Sequence, residues 1–178
     1  VKKFMLIIGV VVTGLMVFVL IMNTTNIADQ DEVSTEDIKQ KVAGYSSGNL
    51  QAESASITSD ELIVTESDNS ETVYDILEND FFVSIAPFID QTHPCYDHDL
   101  IGCQGEMINE DFDVYIEDED GNVVVDETIT SADDGFIDLW LPRDENYTIN
   151  ISSEGKTAES EFSTFSQDNT CITTIQLT

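Results

Sequence analysis

Basic side chains are almost missing from this sequence. Six lysines and arginines stand against 36 aspartates and glutamates, a formal net charge of -30 over 178 residues. A surface so anionic repels nucleic-acid phosphates and anionic lipid head groups, which excludes both as partners of the folded part. The bland role of such acidity is hydration, since excess carboxylates keep a small domain dispersed in a salty medium. Histidine is scarcer still, with two in the chain, and neither a Ser-His-Asp arrangement nor a glycine-rich phosphate loop is legible. Cysteine is limited to three. An odd number leaves at least one thiol unpaired in a monomer, paired between chains, or serving as a ligand.

What the sequence does have is one long apolar run. Lys2 and Lys3 precede an uncharged stretch from Phe4 to Met22. About 19 residues at a rise of 1.5 Å span about 28 Å, close to the ~30 Å of a bilayer core. The two lysines predict a cytoplasmic start, with the rest of the chain outside. The run is longer than a usual signal-peptide core and no A-x-A site follows Met22, so an uncleaved anchor is expected over a removed signal peptide. Residues 1–30 are assigned to this segment, which gives the chain a membrane contact. The remainder is expected to be extracytoplasmic, held at the outer face of the cytoplasmic membrane or secreted. Disulfides persist in that compartment.

Beyond a polar linker, Ser34 and Asp37 resemble a capping box, and Ile38, Val42 and Tyr45 recur at helical spacing, with Gly44 or Gly48 to end the helix. Residues 49–60 read as a weak strand or loop. Glu61–Thr65 and Thr72–Ile76 predict a hairpin around Ser67–Ser70, and Phe81–Ile85 a strand ended by Pro87. Further on, Val114 and Ile116, then Asp120-Gly121-Asn122, then Val123–Val125 form a hairpin pattern continued by Thr128–Thr130. Turns at Asp134-Gly135, Pro142–Glu145 and Gly155-Lys156 separate strands marked by Ile137 and Leu139, by Tyr147, Ile149 and Ile151, and by Phe162 as the start of the next. Ile172, Ile175 and Leu177 close the series. The expected class is mainly β: a small antiparallel β-sandwich over 81–178 that bears the cysteines, with a short N-terminal α/β region of helix and hairpin over 31–80 behind the transmembrane segment. Phe136, Trp140, Tyr147 and Phe162 are expected in the core rather than on a ligand platform.

The segment from Thr92 to Glu106, THPCYDHDLIGCQGE, holds both histidines and two of the three cysteines. It lies between strands, where loops carry function. Three thiolates suit Cu(I), a soft ion content with low coordination numbers. Zinc asks for four ligands, so Cys3His with His93 or His98 would serve it as well. The spacing is C-x7-C, unlike the C-x2-C of common zinc sites and thioredoxin-like motifs. The competing structural role is a disulfide between Cys95 and Cys103, which so short a loop can close, leaving Cys171 as a spare thiol. Spacing alone does not choose between them.

The runs FFVSIAPF from Phe81, THPC from Thr92, HDLIGCQGE from His98, DGFIDLWLPR from Asp134 and TCITTIQL from Thr170 closely resemble the CueP family of periplasmic copper-binding proteins. They occur in the family's order over roughly residues 55–178. The resemblance implies copper binding through Cys95, Cys103 and Cys171, a part in copper resistance, and either sequestration or delivery to a copper-accepting enzyme. His98 is expected as a fourth ligand or as a group beside the metal. A homodimer through the N-terminal region is implied with less force. The chain is more acidic than its relatives. An anchor would suit a cell without a periplasm, where a released carrier would diffuse away. No enzymatic activity is expected. The alternative is a thiol-disulfide redox protein using Cys95 and Cys103, although the surrounding carboxylates oppose thiolate formation. A wall or stalk module would have no use for the Cys/His cluster.

Overall fold

The computed structural model describes residues 35–76 and 79–178. The apolar run Phe4–Met22 and the capping residue Ser34 lie outside them. No helix among the described residues is long and apolar enough to cross a membrane. Residues 33–178 cluster as one compact unit.

Helix α1 (Thr35–Ser46) carries Glu36 and Asp37 in its first turn, the sign that the helix dipole favours there. Ile38, Val42 and Tyr45 fall on one face and are buried. The helix continues through Gly44 and stops two residues before Gly48, whose φ of 70° lies in the left-handed region that glycine enters without strain. Strands β1 (Ser54–Ile57), β2 (Glu61–Thr65) and β3 (Glu71–Asp75) follow as an antiparallel meander. Ser54–Ile57 is thus a strand within the weakly patterned 49–60 stretch. Its short sequence SASI turns only Ala55 and Ile57 inward. The two-residue β5 (His98–Asp99) joins the edge of the same sheet beside β1.

Strand β4 (Asp80–Ile85) is the middle of a separate three-stranded sheet. It pairs antiparallel with β8 (Ile137–Pro142) and, departing from the antiparallel expectation, parallel with β11 (Cys171–Ile172). The remaining sheet has the order β10-β9-β6-β7, with β6 Asp111–Asp118, β7 Val123–Thr130, β9 Asn146–Ser153 and β10 Lys156–Ser163. All its pairs are antiparallel. Phe162 is the penultimate residue of β10 instead of its start. The preceding Lys156–Glu161 forms an edge strand whose polar alternation carries little apolar signal.

Two cores result, and β4 contributes to both. Phe81, Val83 and Ile85 pack with Phe112, Val114, Ile116, Tyr147, Ile149 and Ile151. The opposite face sends Phe82 among Ile38, Val42, Ala55, Ile57, Leu62 and Val64. The expected boundary between 31–80 and 81–178 falls at the first residues of this shared strand. Phe136 and Tyr147 are buried, while Trp140 and Phe162 pack against the cores with partial exposure. Inside the apolar layer sits one polar knot: the Asp138 carboxylate accepts from Ser84 Oγ at 2.6 Å and from Ser46 Oγ at 2.8 Å. It ties the end of α1 to the shared sheet and satisfies the fully buried Ser84 hydroxyl.

Three of the four basic residues among the described ones are engaged. Lys39 reaches Asp80 at 3.1 Å and lies 5.2 Å above the Trp140 ring. Lys41 lies 5.0 Å over Tyr74, and Arg143 donates to Ser59 O and Asp60 Oδ1 at 2.6 and 2.8 Å. Among the described residues, the anionic surface is therefore only lightly compensated.

The helix-side core should depend on Phe82, which is fully buried and edge-on to Trp140 at 5.2 Å. Phe82→Ala is expected to cost about 3–5 kcal/mol. A denaturant midpoint that falls with an unchanged slope would show this.

Candidate metal centre

The loop between β4 and β6 carries most of the candidate residues, and its path is fixed by backbone bonds. Pro87 and Phe88 leave β4 alongside the C-terminal segment, where Phe88 N donates to Ile175 O and Leu177 N donates to Phe88 O. The Glu106 carboxylate reaches back across the loop and accepts from Ile89 N at 2.6 Å and Asp90 N at 3.0 Å. These backbone donors, Ile89 first, hold the Glu106 pKa below the usual glutamate range. His98 and Asp99 then pair with Ile57 and Ser56 of β1. Asp99 Oδ1 accepts from Ile101 N and Gly102 N, and Asp99 O accepts from Cys103 N at 3.1 Å, so a tight turn returns Cys103 towards Cys95.

Gly105 and Gly135 allow the next contact. Gly105 N donates to Asp134 O at 2.6 Å, and a Cβ placed on Gly105 would stand 2.6 Å from Gly135 O. Two backbones thus pack directly on one another, which seats the Cys103 loop against the turn before β8. Cys171 arrives from the far end of the chain through the parallel pairing of β11 with β4, and its N–H donates to Tyr96 O at 2.9 Å.

Cys95 and Cys171 are joined as a disulfide with Cα atoms 5.6 Å apart. This corrects the expected short-loop alternative: the bond links residues 76 apart, and Cys103 is the free thiol. The physical reason is that β5 is drawn into the sheet with β1, while β11 runs beside the Cys95 segment. Cys103 Sγ still lies 3.6 Å from Cys95 Sγ. Burial, opposed by a backbone hydrogen bond from Asp99, pushes the Cys103 thiol pKa up, and the Asp99 and Asp134 carboxylates push the same way.

His98 is fully buried, 4.5 Å centroid to centroid from Phe136 and 6.3 Å from Phe82. Desolvation drives its pKa below the ordinary histidine value, with Asp138 and Asp99 opposing. Neither ring nitrogen has a hydrogen-bond partner. Such a group is costly to bury unless something else takes its lone pair or its N–H. One ligand atom each from Cys95, His98, Cys103 and Cys171 lies within 4.8 Å of all the others. The sequence-predicted residues therefore converge on one spot, walled by Ala86 and Phe136. His93 stands outside this group; its ring lies 6.4 Å from Phe136. With the disulfide opened, three sulfurs and the imidazole would form a donor set for a soft or borderline metal, and the carboxylates Asp97, Asp99 and Glu106 are not part of it. Sequence reasoning missed Thr92, Thr170 and Thr173, which brace the two cysteine segments, because they lie in irregular segments where nothing local shows which hydroxyl finds a partner 72 to 81 residues away.

The arrangement is a candidate metal centre lined by three cysteines and a histidine on a mainly β scaffold. The chain matches the family described as "Periplasmic copper-binding protein CueP" over residues 27–176. A solved structure described as the crystal structure of S.CueP is similar at 37% identity and a TM-score of 0.73, covering 79% of this chain and 88% of that one. No curated protein matches the chain. The chain belongs to the CueP family. With it come copper binding and a place outside the cytoplasm as the family's coarse attributes.

Gly105→Ala tests how the site is seated. The new methyl meets backbone, which cannot swing aside, so a loss of about 1–3 kcal/mol is expected. Cys103 should also become more accessible, seen as faster alkylation by iodoacetamide in the folded protein.

Proposed function

We propose that this chain sequesters copper outside the cytoplasmic membrane as Cu(I), through the thiolates of Cys95, Cys103 and Cys171 with His98 as an additional ligand. The observation that carries this reading is the convergence of four donor atoms within 4.8 Å around a buried imidazole with both nitrogens bare. Sulfur suits Cu(I) better than the hard oxygens that crowd the rest of the surface. The same four residues make a Cys3His set that zinc could also use.

Loading by three thiolates first requires the Cys95–Cys171 bond to be opened. A dithiol donor supplies two electrons and two protons and leaves as its own disulfide. Cu(I) then displaces the thiol protons, which pass to water. Cys103 is held largely as a thiol at neutral pH by burial, so metal binding there is coupled to proton release. An apolar run at the N-terminus, if it stays attached, favours storage at the membrane surface; a free chain favours transfer to a copper-accepting enzyme. A homodimer is compatible with either.

Anaerobic titration of the reduced full chain with Cu(I), against a competing chelator, tests the proposal. One equivalent should bind with sulfur-to-copper charge-transfer absorbance. Cys171→Ser should weaken it by more than the roughly 10–100-fold expected for loss of an outer partner. Binding indifferent to Cys171 would overturn the three-thiolate site.

The 3.6 Å approach of Cys103 to Cys95 favours a second reading, thiol-disulfide exchange. The Cys103 thiolate would attack Cys95 Sγ, form Cys95–Cys103 and release Cys171 as thiolate, with no net oxidation. Peptide mapping of the oxidised full chain held at pH 9 is expected to show the isomer under this reading, and its absence removes it.

A further inference from the structure

The disulfide does not hold the two cysteine segments together alone. Four hydrogen bonds bracket it. Thr92 Oγ1 donates to Thr173 O at 2.5 Å, and Thr173 Oγ1 donates to His93 O at 2.7 Å. Cys171 N donates to Tyr96 O at 2.9 Å, and His98 N donates to Thr170 Oγ1 at 3.0 Å. One bond or more lies on either side of each cysteine, so the loop 92–98 is fastened to 170–173 like a short irregular ladder.

Thr170 is the anchor of this ladder. It is fully buried, and its hydroxyl donates to Ile57 O at 2.6 Å while accepting from His98 N. Its carbonyl accepts from Ser84 N at 2.7 Å. One residue thus joins β1, β4 and β5 beside Cys171. Thr173, also buried, repeats the device at the opposite side with one hydroxyl and one carbonyl, both turned to the loop. A valine at either place would fill the same space with the same branching, but would supply no hydroxyl.

We infer that Thr170 and Thr173 are positioning residues that keep Cys95, Cys171 and His98 together after the disulfide is opened, so that the reduced centre is preformed for its metal. This rests on the proposed copper function for its purpose, but not for its geometry. A loop released on reduction would have to be ordered again at each loading, and that entropy would be subtracted from the binding free energy. With the ladder intact, ordering is already complete before the metal arrives.

The first test contains no metal. The equilibrium of the full chain with reduced and oxidised glutathione measures how strongly the fold keeps Cys95 beside Cys171. Thr173→Val and Thr170→Val are each expected to shift it about tenfold towards the dithiol, which is about 30 mV for a two-electron couple. Thr170→Ser keeps the hydroxyl and should restore the wild-type equilibrium. In the reduced protein the valine variants should also lose about tenfold in Cu(I) affinity, with all three cysteines still present. If Thr170→Val fails to fold, judged by circular dichroism, Thr173→Val decides. A folded Thr173→Val with an unchanged glutathione equilibrium overturns the inference, whatever copper does. A shifted equilibrium in a protein that binds no Cu(I) upholds the ladder and removes the copper reading instead.

Discussion

The parallel pairing of Cys171–Ile172 with Ser84–Ile85 is the constraint on which the site depends. It is two residues long, yet it carries the end of the chain back to its middle. Without it the loop from Gln91 to Glu106 would hold two thiols and two imidazoles and no third sulfur. The pairing is affordable because β4 is already fixed by its six-residue register with β8 and by cores on both faces. A short strand then adds to a rigid edge, and Thr170 locks the junction through contacts with three strands.

The imidazole of His98 belongs to the same logic. A buried polar ring without partners is a cost to the fold, and structures tolerate it where another demand outweighs stability. Phe136 lies tilted against it in a desolvated setting, which also strengthens any bond the ring makes to an incoming ion. The surrounding carboxylates act at longer range. They are too hard to compete for Cu(I), but in a lightly compensated field of -30 they draw cations of every kind towards the surface. Under the proposed function, selectivity would rest on the sulfurs and capture on the acids.

Much of this architecture was legible in the sequence. The hairpins at Ser67–Ser70 and Asp120–Asn122 announced themselves by turn residues between alternating strands, and Ile38, Val42 and Tyr45 gave the helix its buried face. The chemistry was legible as a cluster, since THPCYDH and GCQGE concentrate rare residue types. Three things were not. The disulfide partner depended on β11 lying beside β4, a contact with no local signature. Ser54–Ile57 was faint because three of its four residues are small and Ile57 alone gives an apolar signal. The bracing hydroxyls of Thr92, Thr170 and Thr173 were hidden because they sit in irregular segments far apart in the chain, and only the fold shows which hydroxyls find a partner across it.

The order of the cysteines along the chain has a consequence for biosynthesis. An exported polypeptide emerges from its N-terminal side, so Cys95 and Cys103 enter an oxidising space while Cys171 is still on its way. The first two sit eight residues apart and can meet at once; the final partner cannot be found until the last strand has left the translocation channel. A bridge between Cys95 and Cys103 made in that interval differs from the bond seen in the fold and must be exchanged before Cys95 can pair with Cys171. The maturation of such a chain therefore waits for a residue 76 positions further on, although the chemistry is announced near its middle.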